Sequence, residues 1–500
     1  MTRLLLLAAL ALAALPASAQ LQLFPTLASG AVLQRDRPIP VWGQAAADAE
    51  VAVTFLGTTT TTTADAAGRW RVDLPARSAG GPFVMTVVSG TQTRTLGSVY
   101  VGDVFLASGQ SNMEWPLSQA DGGAAEAAAA DDPMLRQFKV PKGLSNEPSD
   151  TLPSGATWAG ATSAASTGAF SAVAYYAGRD LRAELGIPIG ILNVSYGGSR
   201  IETWMSEAML GYDEQDVVLA GGEPERQPTV AWNKMMVPLL DVPVAGVLWY
   251  QGESNADNLD DAAAYGDLFR TMITGWRDAL GQGEVPFIWV QLPNFGDPQT
   301  VNEGGPPTFD AWPILRAEQS EALALPATGE VVAIDTGLPD ATGAVDIHPR
   351  NKKPVGERLA LVVREVVYGE DLVAGGPRYA ANALLEEGTV AVTFTGATDG
   401  LTTADGTLDG FTLAGADGVF VWADAVIDGD RVLVSSPSVT TPATVRYAWQ
   451  FNPGNPGVPG TADLTNTAGF PAAPFEAVVN PGFSIASFGS ARATIEAGQS

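Results

Sequence analysis

A single histidine, His348, stands among the 500 residues of this chain. An imidazole titrates close to neutrality, so it is suited to take a proton from an attacking hydroxyl and return it to a leaving group. A matching nucleophile is offered by Val101-Gly-Asp-Val-Phe-Leu-Ala-Ser-Gly-Gln-Ser-Asn-Met-Glu114, where an apolar run of strand type stops at Gly109 and delivers Ser111 at its carboxyl end. Such ends expose a side chain in a tight turn, with backbone N–H groups of the next helix facing the reacting atom. Ser111 and His348 would then make the working pair of an acyl-transfer enzyme. Asp346, in Val345-Asp-Ile-His-Pro-Arg-Asn-Lys-Lys353, is the nearest carboxylate along the chain that could orient the imidazole; Asp335, Asp340 and Glu253 stay open for the same role.

Acyl transfer also needs donors for the developing oxyanion. Two further strand-end loops offer them. Val194-Ser-Tyr-Gly-Gly-Ser199 has glycines whose N–H groups can approach a ligand closely, and Trp249-Tyr-Gln-Gly-Glu-Ser-Asn255 carries the amides of Gln251 and Asn255. One imidazole is too few for an ordinary histidine-based zinc site, and a chain without cysteine has no thiolate nucleophile or ligand. No metal or cofactor is expected.

The elements that must position these loops fall into three blocks. Residues 1–19 read as a signal peptide: Arg3, then the Leu/Ala run Leu4 to Leu15, then the small-residue site ending at Ala19. The mature chain is therefore expected to be exported, to the periplasm or beyond, and no later run is apolar enough for membrane insertion. A net charge of −28, from 27 basic and 55 acidic residues, makes nucleic acid and anionic membranes poor partners. Residues 20–97 alternate in strand fashion between Gly, Asp and Thr clusters, as in Val51-Ala-Val-Thr-Phe55, and read as a small β-sandwich. The run Thr58 to Thr63 reads as part of a hairpin, given the strand preference of threonine and the turn residues Asp65 to Gly68.

Residues 98–370 change texture, with strands alternating with helical periods, which predicts an α/β domain with a parallel sheet. Helices are predicted over Phe170 to Leu185, Tyr265 to Leu280, Pro313 to Leu325 and Lys352 to Tyr368. Buried strands are predicted over Ile187 to Val194, Val244 to Tyr250, Val285 to Leu292 and Val331 to Ile334. Ala120 to Ala169 and Gly211 to Gln227 read as long loops of the kind that form lids or rims. Residues 371–500 return to β texture, as a second β domain.

Together the loops resemble the SGNH hydrolase superfamily and, within it, the sialate O-acetylesterase family of carbohydrate esterases. The resemblance includes Val32-Leu-Gln-Arg35, Val41-Trp-Gly43, Gly68-Arg-Trp70, Gly80-Gly-Pro82, GQSNME from Gly109 to Glu114, YGGS from Tyr196 to Ser199, WYQGES from Trp249 to Ser254, IHPRNK from Ile347 to Lys352, and Arg446-Tyr-Ala-Trp449. GQSNM followed by WYQGES is its most specific part. It implies an SGNH-type three-layer α/β/α domain with a mainly parallel sheet, flanked by N-terminal and C-terminal β-sandwich-like domains. It also implies Ser111 as nucleophile, His348 as general base and acid, and the N–H groups of Gly198 and Ser111 as oxyanion donors. The superfamily's third donor is an asparagine; here Gln251 occupies the related strand end and is the expected donor, with Asn255 the alternative. Asn112 and Glu253 complete the candidate substrate-contacting set.

This chain departs from the superfamily in two places. The usual acid lies three residues before the histidine, where Val345 stands, and Met113 replaces the second glycine of the G-x-S-x-G elbow, which separates the chain from ordinary α/β-hydrolases. The implied substrate is an acetylated carbohydrate, sialic acid or plant polysaccharide fragments. Trp115, Trp204, Tyr250 and Trp312 are candidates to stack on sugar faces, and one or two of them are expected to be exposed. The alternative is a carbohydrate-binding protein that has lost catalysis, which would have no need to keep both Ser111 and the single histidine.

Overall fold

The computed structural model describes residues 20–211, 222–297, 311–339, 344–397, 400–454 and 461–480. The leader 1–19 and Asp340 lie outside the described residues, as does most of the loop expected at 211–227.

An 18-residue strand, Gln92–Gly109, runs through the middle of the molecule. Its first half pairs antiparallel with Gly80–Ser89, and its second half lies parallel between Ile189–Ser195 and Gly246–Tyr250. The boundary expected between residues 97 and 98 thus falls inside one unbroken strand. Outward from the centre, Asp132–Lys139 and then Trp158–Ala161 follow Ile189–Ser195 on one side, and Phe287–Val290 and Thr328–Val331 follow Gly246–Tyr250 on the other. All these neighbours are parallel except the edge strand Trp158–Ala161.

Strand periodicity dictates the layers. Successive side chains point to opposite faces, so Val104 and Leu106 join Val194, Trp249 and Phe287 in one core, under the helices Leu259–Leu280 and Ala311–Ser320. Phe105 and Ala107 join Ile191, Leu248 and Ile288 in the other, under Ala172–Leu185 and Lys353–Tyr368. Parallel strands buried on both faces read as the near-continuous apolar runs seen in the sequence. The result is the three-layer α/β/α arrangement.

Several boundaries correct the sequence reading, among them the last strand of the parallel sheet, which runs over Thr328–Val331 and ends where it was expected to begin. The helix Leu259–Leu280 starts well before Tyr265, capped by the Asn258 side chain, which accepts from Asp261 N–H; its acidic, solvent-facing first turn hides the apolar period. Asp132–Lys139 and Trp158–Ala161 are strands inside the stretch read as a loop; only Leu135, Gln137 and Phe138 of the sequence Asp-Pro-Met-Leu-Arg-Gln-Phe-Lys are buried, which leaves no sustained apolar run to read.

The flanking blocks are β structures. In the N-terminal one, Arg69–Leu74 buries Trp70, Val72 and Leu74 in strict alternation, and the threonine run pairs with Glu50–Phe55 as a hairpin. The C-terminal block packs two four-stranded sheets around Val392, Phe411, Leu413, Val432, Val445 and Phe475.

Candidate active site

The central strand ends where three strand termini meet in register, Gly109 opposite both Ser195 and Tyr250. Gly109 is required here: at φ +131° it holds a conformation that side chains disfavour, and a Cβ would lie 2.1 Å from the Tyr250 carbonyl oxygen. Gln110 N–H then donates to that carbonyl at 3.0 Å, and one helical turn, Ser111–Glu114, follows. This is also where the chain, having built one side of the sheet, crosses to build the other, the place where open α/β sheets form their clefts.

Ser111 Oγ stands 2.8 Å from His348 Nε2, a hydrogen bond across 237 residues of sequence. Trp115 stacks on the imidazole at 5.1 Å between centroids. Burial, and secondarily the Lys352 ammonium, hold the imidazole below its ordinary pKa, with Asp346 pulling weakly the other way. The neutral form, able to accept a proton from serine, is thereby favoured near neutrality.

The carboxylates divide clearly. Asp346 Oδ1 accepts the backbone N–H of His348 at 2.7 Å, while His348 Nδ1 is 3.7 Å away and the Asp346 side chain is 75 % exposed. A hydrogen bond to the ring is not made at that distance. Asp335 is engaged bidentately by Arg358, both contacts at 2.6 Å. Glu253 is buried and bound by Asn112. Asp346→Asn is therefore expected to lower kcat less than about tenfold, since an amide oxygen still accepts the backbone N–H; a loss on the order of 10⁴, as for a triad aspartate, would place the carboxylate on Nδ1 during turnover.

Among the oxyanion candidates, the N–H groups of Ser111 and Gly198 have no protein acceptor among the described residues. Gly197 N–H is bound by Glu114 Oε2 at 2.9 Å. Gln251 is placed differently from the expectation of a third donor. Its Nε2 donates to Ser199 O at 3.1 Å and to Asn255 Oδ1 at 2.8 Å, and its Oε1 accepts from Tyr265 at 2.8 Å, so the fully buried amide ties loops together and has no proton left for a ligand. Asn255 is likewise occupied, accepting Ile201 N–H and donating to Glu202.

Asn112 and Glu253 also turn inward rather than toward substrate. Asn112 Nδ2 donates to Glu253 Oε1 and, at 3.0 Å, to the Ile347 carbonyl, while its Oδ1 accepts from Lys352 Nζ. Lys352, 1 % exposed, is a site residue that sequence reasoning passed over; a lysine inside a basic run reads as solvated, and only the adjoining His348 hinted otherwise. Of the four aromatics, Trp115 alone flanks the imidazole; Trp204, Tyr250 and Trp312 belong to the core. Among the described residues no group of three or more His, Asp and Glu side chains is arranged to hold a metal ion.

Fold and site define the class: a three-layer α/β hydrolase that presents serine and imidazole together at the carboxyl end of its central strand. A family model for the sialic acid-specific acetylesterase carbohydrate esterases matches residues 101–364, more than half of the chain. A sialate O-acetylesterase of Mus musculus is 32 % identical over 399 residues, covering 67 % of this chain and 72 % of that protein. One of Homo sapiens is 30 % identical over 62 % of each. The crystal structure of a carbohydrate acetylesterase from Xanthomonas citri is 44 % identical, superposes with a TM-score of 0.82, and covers 91 % of this chain and 99 % of that one. The chain belongs to the sialic acid-specific acetylesterase family of carbohydrate esterases, and it is a carboxylic ester hydrolase of the SGNH type.

Proposed function

We propose that this chain is an exported esterase that removes O-acetyl groups from carbohydrates through an acetyl-enzyme formed on Ser111. The observation that carries the mechanism is the 2.8 Å contact between Ser111 Oγ and His348 Nε2. Export rests on the leader pattern of residues 1–19, and the substrate class on the names of the relatives, with acetylated sialic acid and plant polysaccharide fragments the candidate substrates.

In the first half-reaction Ser111 Oγ bonds to the acetyl carbon as its proton passes to His348 Nε2. The N–H groups of Ser111 and Gly198 receive the oxyanion. The tetrahedral adduct then expels the sugar oxygen, which takes the proton from Nε2. In the second half-reaction His348 deprotonates a water as it attacks the acetyl carbon, and the Ser111 oxygen leaves with that proton, releasing acetate.

The test is acetate release across a panel of O-acetylated sialic acids, xylans and other plant oligosaccharides, measured against pH with and without a chelator. Activity should rise with pH as the imidazole loses its proton, with a midpoint below about 6.5 because the folded environment disfavours the imidazolium. Glycan binding with no acetate release at any pH would replace this reading with that of a carbohydrate-binding protein. Chelator-sensitive activity restored by a divalent ion would overturn the metal-free mechanism.

A further inference from the structure

Four groups that the proposed chemistry does not use converge beneath the nucleophile: Asn112, Glu253, Lys352 and the Ile347 carbonyl. Each comes from a different part of the site. Asn112 follows Ser111 in the turn, Glu253 lies in the loop after Gly246–Tyr250, Ile347 precedes His348, and Lys352 caps the helix Lys353–Tyr368. The Asn112 amide is the hub. Lys352 Nζ holds its oxygen, Glu253 Oε1 and the Ile347 carbonyl hold its nitrogen, and the Asn112 side chain is fully buried. An amide so bracketed has one orientation, because ammonium donates only and carboxylate accepts only.

The arrangement is costly as mere packing. A buried ammonium and a buried carboxylate each lose hydration, and here they do not bond to each other but meet through the amide. Glu253 Oε2 has no hydrogen-bond partner among the described residues. Replacing such a group by apolar side chains of similar volume is often neutral or stabilising, so its presence beside the reacting atoms asks for another account.

We propose that Lys352, Asn112 and Glu253 are positioning residues: by locking the Asn112 amide they pin the Ile347 carbonyl, and so the His348 ring, to the Ser111 turn. Alongside that geometry, the buried Lys352 ammonium disfavours the imidazolium, second to burial itself. The proposal rests on the reading of Ser111 and His348 as the working pair. Lys352 Nζ lies 6.0 Å from the Trp115 ring centroid and 5.6 Å from that of Tyr250, so the charge sits near the same tryptophan that stacks on His348. The charged or titratable groups that face it are Glu253, Asp346, Tyr250 and His348 itself. Burial pushes the ammonium down to about 7, against the pull of Glu253 and Asp346, and burial raises Glu253.

A chain with one histidine allows a direct test, because isotope-labelled histidine gives one imidazole signal in the intact protein. In the wild type, that signal should titrate below the ordinary value of about 6.5 and show a second, smaller inflection near 7 as Lys352 loses its proton. In Lys352→Met the main midpoint should rise and the second inflection should vanish. Turnover of Lys352→Met should fall about tenfold or more with KM within about threefold, since a displaced base slows chemistry and leaves sugar contacts intact. Asn112→Leu should lose turnover in the same way while keeping more of the low imidazole midpoint than Lys352→Met does.

An imidazole midpoint at or above the ordinary value in the wild type would overturn the charge effect even if no variant folded. An unmoved midpoint in a folded Lys352→Met would do the same. A rise in KM with turnover unchanged would make these residues substrate contacts and end the positioning account. Because the titration needs no substrate, these outcomes are separable from failure of the esterase reading, which would show as absence of acetate release in the wild type.

Discussion

Ser111→Ala and His348→Ala are each expected to lower kcat/KM for acetate release by roughly 10³–10⁶, with the double variant no slower than the slower single one by more than about tenfold. The reason is that the two side chains act on one proton. With Ser111 gone the imidazole has nothing to deprotonate but water, and with His348 gone the hydroxyl keeps its proton near neutrality. Either loss removes the same step, so the effects cannot add. Neither change should unfold the protein. Ser111 Oγ gives up one hydrogen bond in a half-buried turn, worth about 1 kcal/mol, and the turn is held independently by Gln110 N–H on Tyr250 O and by Gly109 O accepting Tyr196 N–H. A serine-directed phosphonate should label Ser111 in the wild type and not in His348→Ala. Labelling at another residue, or a double variant slower than either single one by the product of their losses, would remove the pair from the mechanism.

Much of this site is legible in the amino-acid sequence, and the reason is local. The stop of an apolar run at Gly109, and the single histidine placed between the last strand and the last helix, are signals carried by neighbouring residues. The parallel sheet is legible for the same reason, since strands such as Ile189–Ser195 are buried on both faces and read as apolar throughout. What the sequence hides is the partner of each polar side chain. Gln251 has the chemistry of an oxyanion donor, but an amide has two protons to give, and no sequence pattern says that Ser199 and Asn255 already hold both. Lys352 is one of several cations in Arg350-Asn-Lys-Lys353; its neighbours Arg350 and Lys353 are solvated, and burial of one lysine there depends on Asn112 arriving from 240 residues away. The position three residues before the histidine shows the same limit. Val345 replaces the usual acid because that residue is buried and its backbone pairs both ways with Gly296, at 2.8 and 2.9 Å, which makes the stretch before His348 a strand-like bridge.

That bridge leads to the second large effect. Arg316→Leu is expected to destabilise the protein by more than about 4 kcal/mol and to slow turnover in whatever fraction stays folded. Arg316 is fully buried and its guanidinium spans two blocks of the fold. It donates to the carbonyls of Leu292 at 2.8 Å and Pro293 at 2.6 Å, and to those of Gln450 at 2.7 Å and Phe451 at 3.1 Å in the C-terminal block. Charge-assisted bonds of this kind are worth about 1.5–3 kcal/mol each, and a leucine would leave four buried or half-buried carbonyls without this donor. The consequence reaches the site through three steps. Phe451 packs on Phe295 and Trp312, Asn452 Nδ2 donates to Gly296 O at 2.6 Å, and Gly296 pairs with Val345, three residues before His348. Gly296 is suited to that contact, because a Cβ there would lie 2.4 Å from the Phe451 ring. The C-terminal β block thus buttresses the segment that carries the imidazole. Thermal unfolding of Arg316→Leu should begin on the order of 10 °C lower than in the wild type. Asn452→Ala, which removes the bond to Gly296 and a local one from Gly454 N–H and leaves Arg316 in place, should retain most of the stability and lose turnover with KM unchanged. Wild-type stability and turnover in Arg316→Leu would show that the C-terminal block does not hold the histidine segment in place.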